Sequence, residues 1–240
     1  MRIIDEIRKK KKDVFSRRPV TVAFLGDSVT QGCFELVEKG DRIDVVYDGE
    51  AVYHNRFREL FEAVFPGVPL VIVNAGISGD NAVSGYRRLE RDVLSYSPDL
   101  VVVCFALNDC QGREEGLAAY LGALEAIFAD VRKSGAECIF MTPNGVPDNP
   151  CHSYRDGKRK EIADLLCVKE NSEALDRYIE AAKERCARTG VPVCDSHAIW
   201  KAMTRAGTDV SDLLANKINH PIREWHRVFA YELFRTILCD

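Results

Sequence analysis

Three apolar runs of this 240-residue chain end on residue types suited to acyl transfer, and a fourth such group precedes its last helical pattern. Phe24-Leu25-Gly26 leads into Asp27-Ser28. Leu70-Val71-Ile72-Val73 leads into Asn74-Ala75-Gly76-Ile77-Ser78-Gly79-Asp80-Asn81. Val101-Val102-Val103-Cys104-Phe105 leads into Ala106-Leu107-Asn108-Asp109, and Asn219-His220-Pro221 stands near the C-terminus. A hydroxyl can attack a carbonyl, an imidazole can take its proton, and N–H donors can hold the oxyanion that develops. Taken singly, each residue is ordinary. A serine after a strand is usually a turn or helix-cap residue, and Asn108 alone reads as a strand-end turn. Their chemistry depends on whether the fold brings them to one edge.

The elements between them predict that it does. Residues 20–25, 70–73, 100–105 and 138–141 are continuously apolar, and 191–194 form a shorter fifth run, as expected of parallel strands covered on both faces. Helical spacing separates them: Leu89, Val93 and Leu94 share a face, as do Leu117, Leu121, Leu124 and Phe128, and then Leu175, Tyr178, Ile179 and Ala182. This alternation predicts a doubly wound α/β sheet of about five strands with helices on both sides, in one domain over residues 1–240. The final helix is expected from Pro221 through Ile237, with proline in its first turn. Residues just past the carboxyl ends of parallel strands converge on one edge, which is where ligands bind in such folds.

Two stretches break the rhythm. Residues 31–53 read as an insertion after the first strand, and residues 142–169, with Pro143, Pro147, Pro150 and Gly157, as a long loop after the fourth. Both leave the ligand-binding end of the sheet, so both are read either as walls of the substrate pocket or as plain surface insertions.

Gly26-Asp27-Ser28, Gly79, Asn108 and His220, in this order, resemble the four motif blocks of the SGNH (GDSL-type) hydrolase family, over a span from about Val20 to Phe229. The resemblance implies a flavodoxin-like three-layer α/β/α sandwich and ester hydrolysis through an acyl-enzyme. Ser28 would be the nucleophile and His220 the general base. The backbone N–H groups of Ser28 and Gly79 and the carboxamide of Asn108 would form the oxyanion hole. Gly76 is the alternative to Gly79. Asp27 and Asp109 are read as loop braces. The Gly-x-Ser-x-Gly elbow of α/β-hydrolases is absent.

Two departures from the family pattern bear on the mechanism. The third block, usually Gly-x-Asn-Asp, is here Ala106-Leu107-Asn108-Asp109. The family also commonly places an aspartate three residues before the histidine, where this chain has Lys217. A lysine cannot accept the Nδ1–H hydrogen bond that fixes the imidazole tautomer. Three acceptors remain open: a backbone carbonyl, giving a dyad; Asp212, eight residues before His220; or a carboxylate from farther away.

The other histidines are expected to play lesser parts. His226 falls in the last helix with a surface or packing role. His54 is read as a helix-entry residue, and His152 as a solvent-exposed loop residue. His197 follows Asp195 and Ser196, but neighbours on one strand end do not readily form a triad, so Asp195 is read as a helix cap.

Composition excludes several classes. Hydrophobic residues make up 46% and charged residues 29%, which is unlike a disordered tail or a membrane bundle. No run approaches the roughly 20 apolar residues of a spanning helix. The N-terminal 19 residues form a basic helix without a signal-like apolar stretch, so a cytoplasmic location is the default. A formal charge of −4 argues against nucleic acid as partner, and Lys9–Lys12 with Arg17 and Arg18 read as a solvated face. The nine cysteines lack regular spacing and read as reduced thiols, with no metal motif. The chemistry requires no cofactor.

The expected function is hydrolysis of small acyl esters of a carbohydrate or another polar metabolite, since no lipase-like lid or long apolar groove is evident. A lipase, lysophospholipase or thioesterase is the alternative within the same mechanism. An acyltransferase would use the same Ser–His pair, and a non-catalytic binding protein would use the same fold.

Overall fold

The structure, a computed structural model, describes residues 1–239. Five parallel strands form the central sheet: β1 (Val20–Gly26), β4 (Leu70–Gly76), β5 (Leu100–Cys104), β6 (Glu137–Met141) and β7 (Val193–Cys194), in the order β4-β1-β5-β6-β7. Counting these five along the chain, the order is 2-1-3-4-5, the flavodoxin-like arrangement, with its switch point between β1 and β5. Every residue of β1 and β5 is buried. Those are the central strands, which explains why they are continuously apolar rather than alternating.

The helices form the two outer layers. α1 (Ile3–Lys12), α3 (Tyr53–Val64) and α10 (Arg223–Cys239) pack together, and so do α4 (Ala82–Arg87), α6 (Arg113–Lys133) and α8 (Lys169–Thr189). Phe24 of β1 meets Tyr53 and Phe57 of α3 at ring-centroid distances of 5.5 and 6.1 Å. Phe57 in turn meets Phe234 of α10 at 6.0 Å. Burying each such ring stabilises the fold by about 1.5–3 kcal/mol. Leu175, Tyr178, Ile179 and Ala182 all lie buried on one face of α8. The basic helix α1 receives its N-terminal cap from a distant strand: Glu137 accepts the N–H groups of Arg2 and Ile3 at 2.8 and 2.6 Å. Lys10 is buried, with its ammonium 2.6 Å from the carbonyl of Val14, so the basic face is not wholly solvated.

Several sequence expectations need correction. The face drawn through Leu89, Val93 and Leu94 is broken, because α5 (Leu89–Asp92) stops and a 3-10 turn follows over Leu94–Tyr96. The last helix starts at Arg223 rather than Pro221, since Pro221 bridges to Leu214. Residues 142–169 are not wholly loop: Glu38 accepts the backbone N–H of Arg159 at 2.6 Å, near the start of α7 (Gly157–Leu166). Residues 31–53 hold an antiparallel hairpin, β2 (Cys33–Lys39) and β3 (Arg42–Tyr47), outside the main sheet.

Candidate active site

The strand register settles where the motifs meet. Gly26 of β1 lies opposite Gly76 of β4 and Cys104 of β5. The residues that follow therefore emerge side by side at one edge. Asp27 ends the strand and caps the single turn α2 (Ser28–Gln31) by accepting the N–H of Val29 at 3.0 Å. Ser28 thus sits on the first turn of a helix, where backbone N–H groups have no intrahelical partner. Its Oγ is 3.1 Å from Nε2 of His220, and both residues are buried.

His220 belongs to a loop built around Asn216. The Asn216 carboxamide oxygen accepts the N–H groups of Ile218, Asn219 and His220 at 3.1, 2.9 and 2.9 Å. Between them Lys217 takes a left-handed conformation, φ +56°. The loop closes where Ala215 N–H donates to the carbonyl of His220 at 2.8 Å.

The acceptor behind the imidazole is a backbone carbonyl. His220 Nδ1 is 3.0 Å from the oxygen of Phe34. A carbonyl can only accept, so Nδ1 carries the proton and Nε2 faces Ser28 as a lone pair. The alternative based on Asp212 is corrected: its side chain is 76% exposed and pairs with Lys217 at 3.3 Å. Burial lowers the pKa of His220 below its usual value, and the Phe34 carbonyl, which favours the imidazolium, offsets part of that.

Gly79, Asn108 and their braces lie across the edge from His220. Gly79 has φ +78°, a conformation that favours glycine. Gly76 differs in two ways: its N–H donates to the side chain of Asn74 at 3.0 Å, and a Cβ there would meet the backbone of Gln31 at 2.2 Å. Gly76 therefore lets β4 approach α2, and its N–H is already taken. Asn108 donates one carboxamide hydrogen to the carbonyl of Asp80 at 2.7 Å, which leaves its second hydrogen for another acceptor. Asp109 accepts the N–H of Ala82 at 2.8 Å and so ties the β5 loop to α4.

Asp80 is held by the buried guanidinium of Arg88 at 2.5 Å and by the hydroxyl of Ser84. Arg88 also reaches the carbonyls of Ala75 and Gly26 at 2.7 and 3.0 Å, bracing the ends of β4 and β1. Burial pushes Asp27 up to about 7 and Asp109 up to about 6, with neighbouring carboxylates adding to each rise. Ala106, where the family has glycine, adopts φ +137°, a region L-residues rarely enter.

None of the other histidines hydrogen-bonds Ser28 or His220, although the ring of His226 lies 5.0 Å from that of Phe34. His226 is buried; its Nδ1 accepts the N–H of Tyr53 at 3.1 Å, capping α3. Burial holds its pKa down to about 3 and that of His54 down to about 4. His197 pairs with Asp176 at 2.8 Å, and Asp195 caps α9 (Ser196–Arg205) through Ala198 N–H. His152 is exposed. A cleft of about 560 Å³ lies between residues 145–152, α9 and residues 208–212, but neither Ser28 nor His220 lines it. No group of three or more potential metal ligands occurs among the described residues, and no helix among them is long and apolar enough to cross a membrane.

Two parts of this arrangement carry no sequence signal. Phe34 takes part through a main-chain atom, which leaves no signature in residue type. Arg88 lies eight residues after Asp80, in what reads as a polar helix face.

Comparison with known proteins bears on the family and the fold. The profile of the GDSL-like Lipase/Acylhydrolase family matches residues 24–228. An acetylxylan esterase of Geobacillus stearothermophilus is 24% identical over 224 residues, covering 89% of this chain and 92% of that one. The crystal structure of the acetylxylan esterase Axe2 from the same organism superposes with a TM-score of 0.68 at 22% identity, covering 91% of this chain and 94% of that one. Solved catalytic mutants of Axe2 include replacements of a serine, an aspartate and a histidine. LAE5, an alpha/beta hydrolase enzyme from the metagenome of Lake Arreo, Spain, gives a TM-score of 0.68 at 20% identity, covering 92% of this chain and 95% of that one. The profile spans well over half of the chain, so this protein is a carboxylic ester hydrolase that belongs to the GDSL-like lipase/acylhydrolase family.

Proposed function

We propose that the chain is a serine esterase that removes acetyl groups from a carbohydrate through an acyl-enzyme, with Ser28 and His220 working as a dyad. The observation that carries the reading is the line Ser28 Oγ, His220 Nε2, His220 Nδ1, Phe34 O, with steps of 3.1 and 3.0 Å across the ring. Nε2 takes the proton of Ser28 as Oγ bonds to the ester carbon. The carbonyl oxygen becomes an oxyanion facing the N–H groups of Ser28 and Gly79 and the second hydrogen of Asn108. Collapse breaks the ester C–O bond, and the proton on Nε2 passes to the leaving alcohol. Water then repeats the sequence on the acyl-serine, releasing acetate.

The depressed pKa of His220 supports this assignment, because a neutral imidazole at pH 7 is ready to act as base. The choice of acetyl and of carbohydrate rests on the acetylxylan esterase relative, which matches 89% of the chain. The test is hydrolysis of p-nitrophenyl esters of increasing chain length and of acetylated xylooligosaccharides, with Ser28→Ala as control. Turnover is expected to be fastest on acetyl and absent in the variant, and a fluorophosphonate should label Ser28. Equal turnover by Ser28→Ala would overturn the mechanism, and a preference for long acyl chains would overturn the substrate assignment.

A further inference from the structure

The carbonyl that orients His220 lies on a hairpin that the main sheet does not hold. β2 and β3 pair only with each other, and a two-stranded ribbon alone is marginal in water. Their register slips between Cys33 and Leu36, so Phe34 and Glu35 fall at an irregularity of the ladder. Phe34 itself is buried, with its ring 5.0 Å from that of His226 on α10, so what remains to be held is the irregular ladder on either side of it.

Arg223, at the start of α10, is placed to hold it. Its Nη1 and Nη2 donate to the two carboxylate oxygens of Glu35 at 2.5 and 3.2 Å, and its Nε donates to Asp48 at 2.8 Å. Its guanidinium carbon lies 4.3 Å from the ring centroid of Phe34. Asp48, just past the end of β3, also donates its own N–H to the carbonyl of Gly32 at 3.0 Å, closing the base of the hairpin. The guanidinium therefore touches the Phe34 ring, the residue after it and the returning strand. It stands three residues from His220 on the same chain segment. Both carboxylates are held below their usual pKa chiefly by Arg223.

We propose that Arg223 is a positioning residue for ester hydrolysis: by clamping Glu35 and Asp48 around Phe34, it fixes the Phe34 carbonyl as the acceptor that takes the place of a carboxylate behind His220. The inference rests on the reading of Ser28 and His220 as the catalytic pair. The three side chains are 32–39% exposed, so the pairs contribute little to global stability. Their effect belongs in the geometry of one hydrogen bond, where a small displacement is expensive.

The experiment first measures p-nitrophenyl acetate hydrolysis by wild type and Ser28→Ala, which decides the parent reading on its own. It then compares Arg223→Met, Arg223→Lys, the double variant Glu35→Gln with Asp48→Asn, and the triple variant that combines Arg223→Met with that double. We expect Arg223→Met and the double variant to lose about 10- to 100-fold in kcat with KM nearly unchanged. The triple variant should be no worse than Arg223→Met, and Arg223→Lys should recover part of the loss. In ¹⁵N-histidine-labelled protein, the low-field Nδ1–H proton resonance of His220 should shift upfield or broaden in Arg223→Met. Wild-type kcat in Arg223→Met, a kcat loss with an unmoved Nδ1–H resonance, or additive losses in the triple variant would overturn the proposal. Should Arg223→Met fail to fold, the size-preserving double variant decides by the same readouts. Should wild type show no Ser28-dependent turnover, the parent reading fails, while the resonance still reports whether Arg223 holds Phe34.

Discussion

Asn108 and Asp80 are joined by a 2.7 Å hydrogen bond from the carboxamide of one to the main-chain carbonyl of the other. The loop after β5 and the glycine turn after β4 are therefore tied together, and Gly79 sits directly before the acceptor. On the proposed mechanism, removing the carboxamide removes one oxyanion donor and loosens the turn that carries another. Asn108→Ala is expected to lose about 10²- to 10³-fold in kcat while unfolding only about 1 kcal/mol more easily. Steady-state kinetics beside urea unfolding checks both, and a kcat within a few-fold of wild type would remove Asn108 from the oxyanion hole.

A second expectation concerns the acid that this chain lacks. Asp212 is spent on Lys217 at the surface, and His220 Nδ1 is already satisfied by Phe34. Asp212→Asn should leave kcat/KM within about two-fold, since exposed ion pairs couple weakly to their surroundings, whereas His220→Ala should abolish turnover. A loss of several hundred-fold in Asp212→Asn would show that a carboxylate orients the histidine in solution.

These two cases mark what could be read from residue types. The meeting of Ser28 and His220 was legible because parallel strands end at a common edge, with Ser28 just past an apolar run and His220 just before a helix. The parallel five-strand sheet followed from the same continuously apolar runs, whereas the order of its strands came only with the fold. That a backbone carbonyl could stand behind His220 was open from Lys217 alone, but which one was illegible, because a main-chain oxygen carries no residue signature and Phe34 lies 186 positions away in sequence. α7 was hidden for a related reason: its first turn leans on Glu38 of a distant hairpin rather than on a local cap. Arg88 was missed because only the folded chain shows that its guanidinium joins Asp80 to the carbonyls at the ends of two strands.

Ala106 stores strain that glycine would not. With φ +137° it occupies backbone space that costs a residue with a Cβ of the order of 1–3 kcal/mol. Ala106→Gly should relieve part of that and, despite the entropy glycine costs the folded state, raise Tm by about 2–4 °C for a net gain near 1 kcal/mol in a chain of this size. Activity should be retained, because Asn108 and Asp109 keep their partners. A Tm that falls would mean that the Cβ packs more favourably than the backbone is strained.

The pH dependence of the reaction should follow His220. Its folded pKa is lowered by burial, and only the neutral imidazole can take the serine proton. The acid limb of kcat/KM should therefore have its midpoint below the ordinary histidine value of about 6.5, and a profile falling away above pH 7 on acidification would contradict it.

Asp27 gives a pH effect of the opposite kind, on stability. Burial, with Asp109 and Asp80 adding, raises its folded pKa from 3.8 to about 7, against the lowering effect of the Val29 N–H. Between those values the native state holds a proton that the unfolded chain has released. Stability must then fall as pH rises through this window. Asp27→Asn keeps an oxygen for Val29 N–H and cannot ionise, so it escapes that loss. The variant should match wild type near pH 4 and exceed it at pH 8, by at most about 4 kcal/mol. The buried Asp109, raised to about 6 for the same reason, leaves some alkaline sensitivity in both proteins. Urea unfolding at pH 4, 6 and 8 reads the difference directly. A gap between variant and wild type that stays constant across that range would show that Asp27 is already ionised in the folded protein at pH 4.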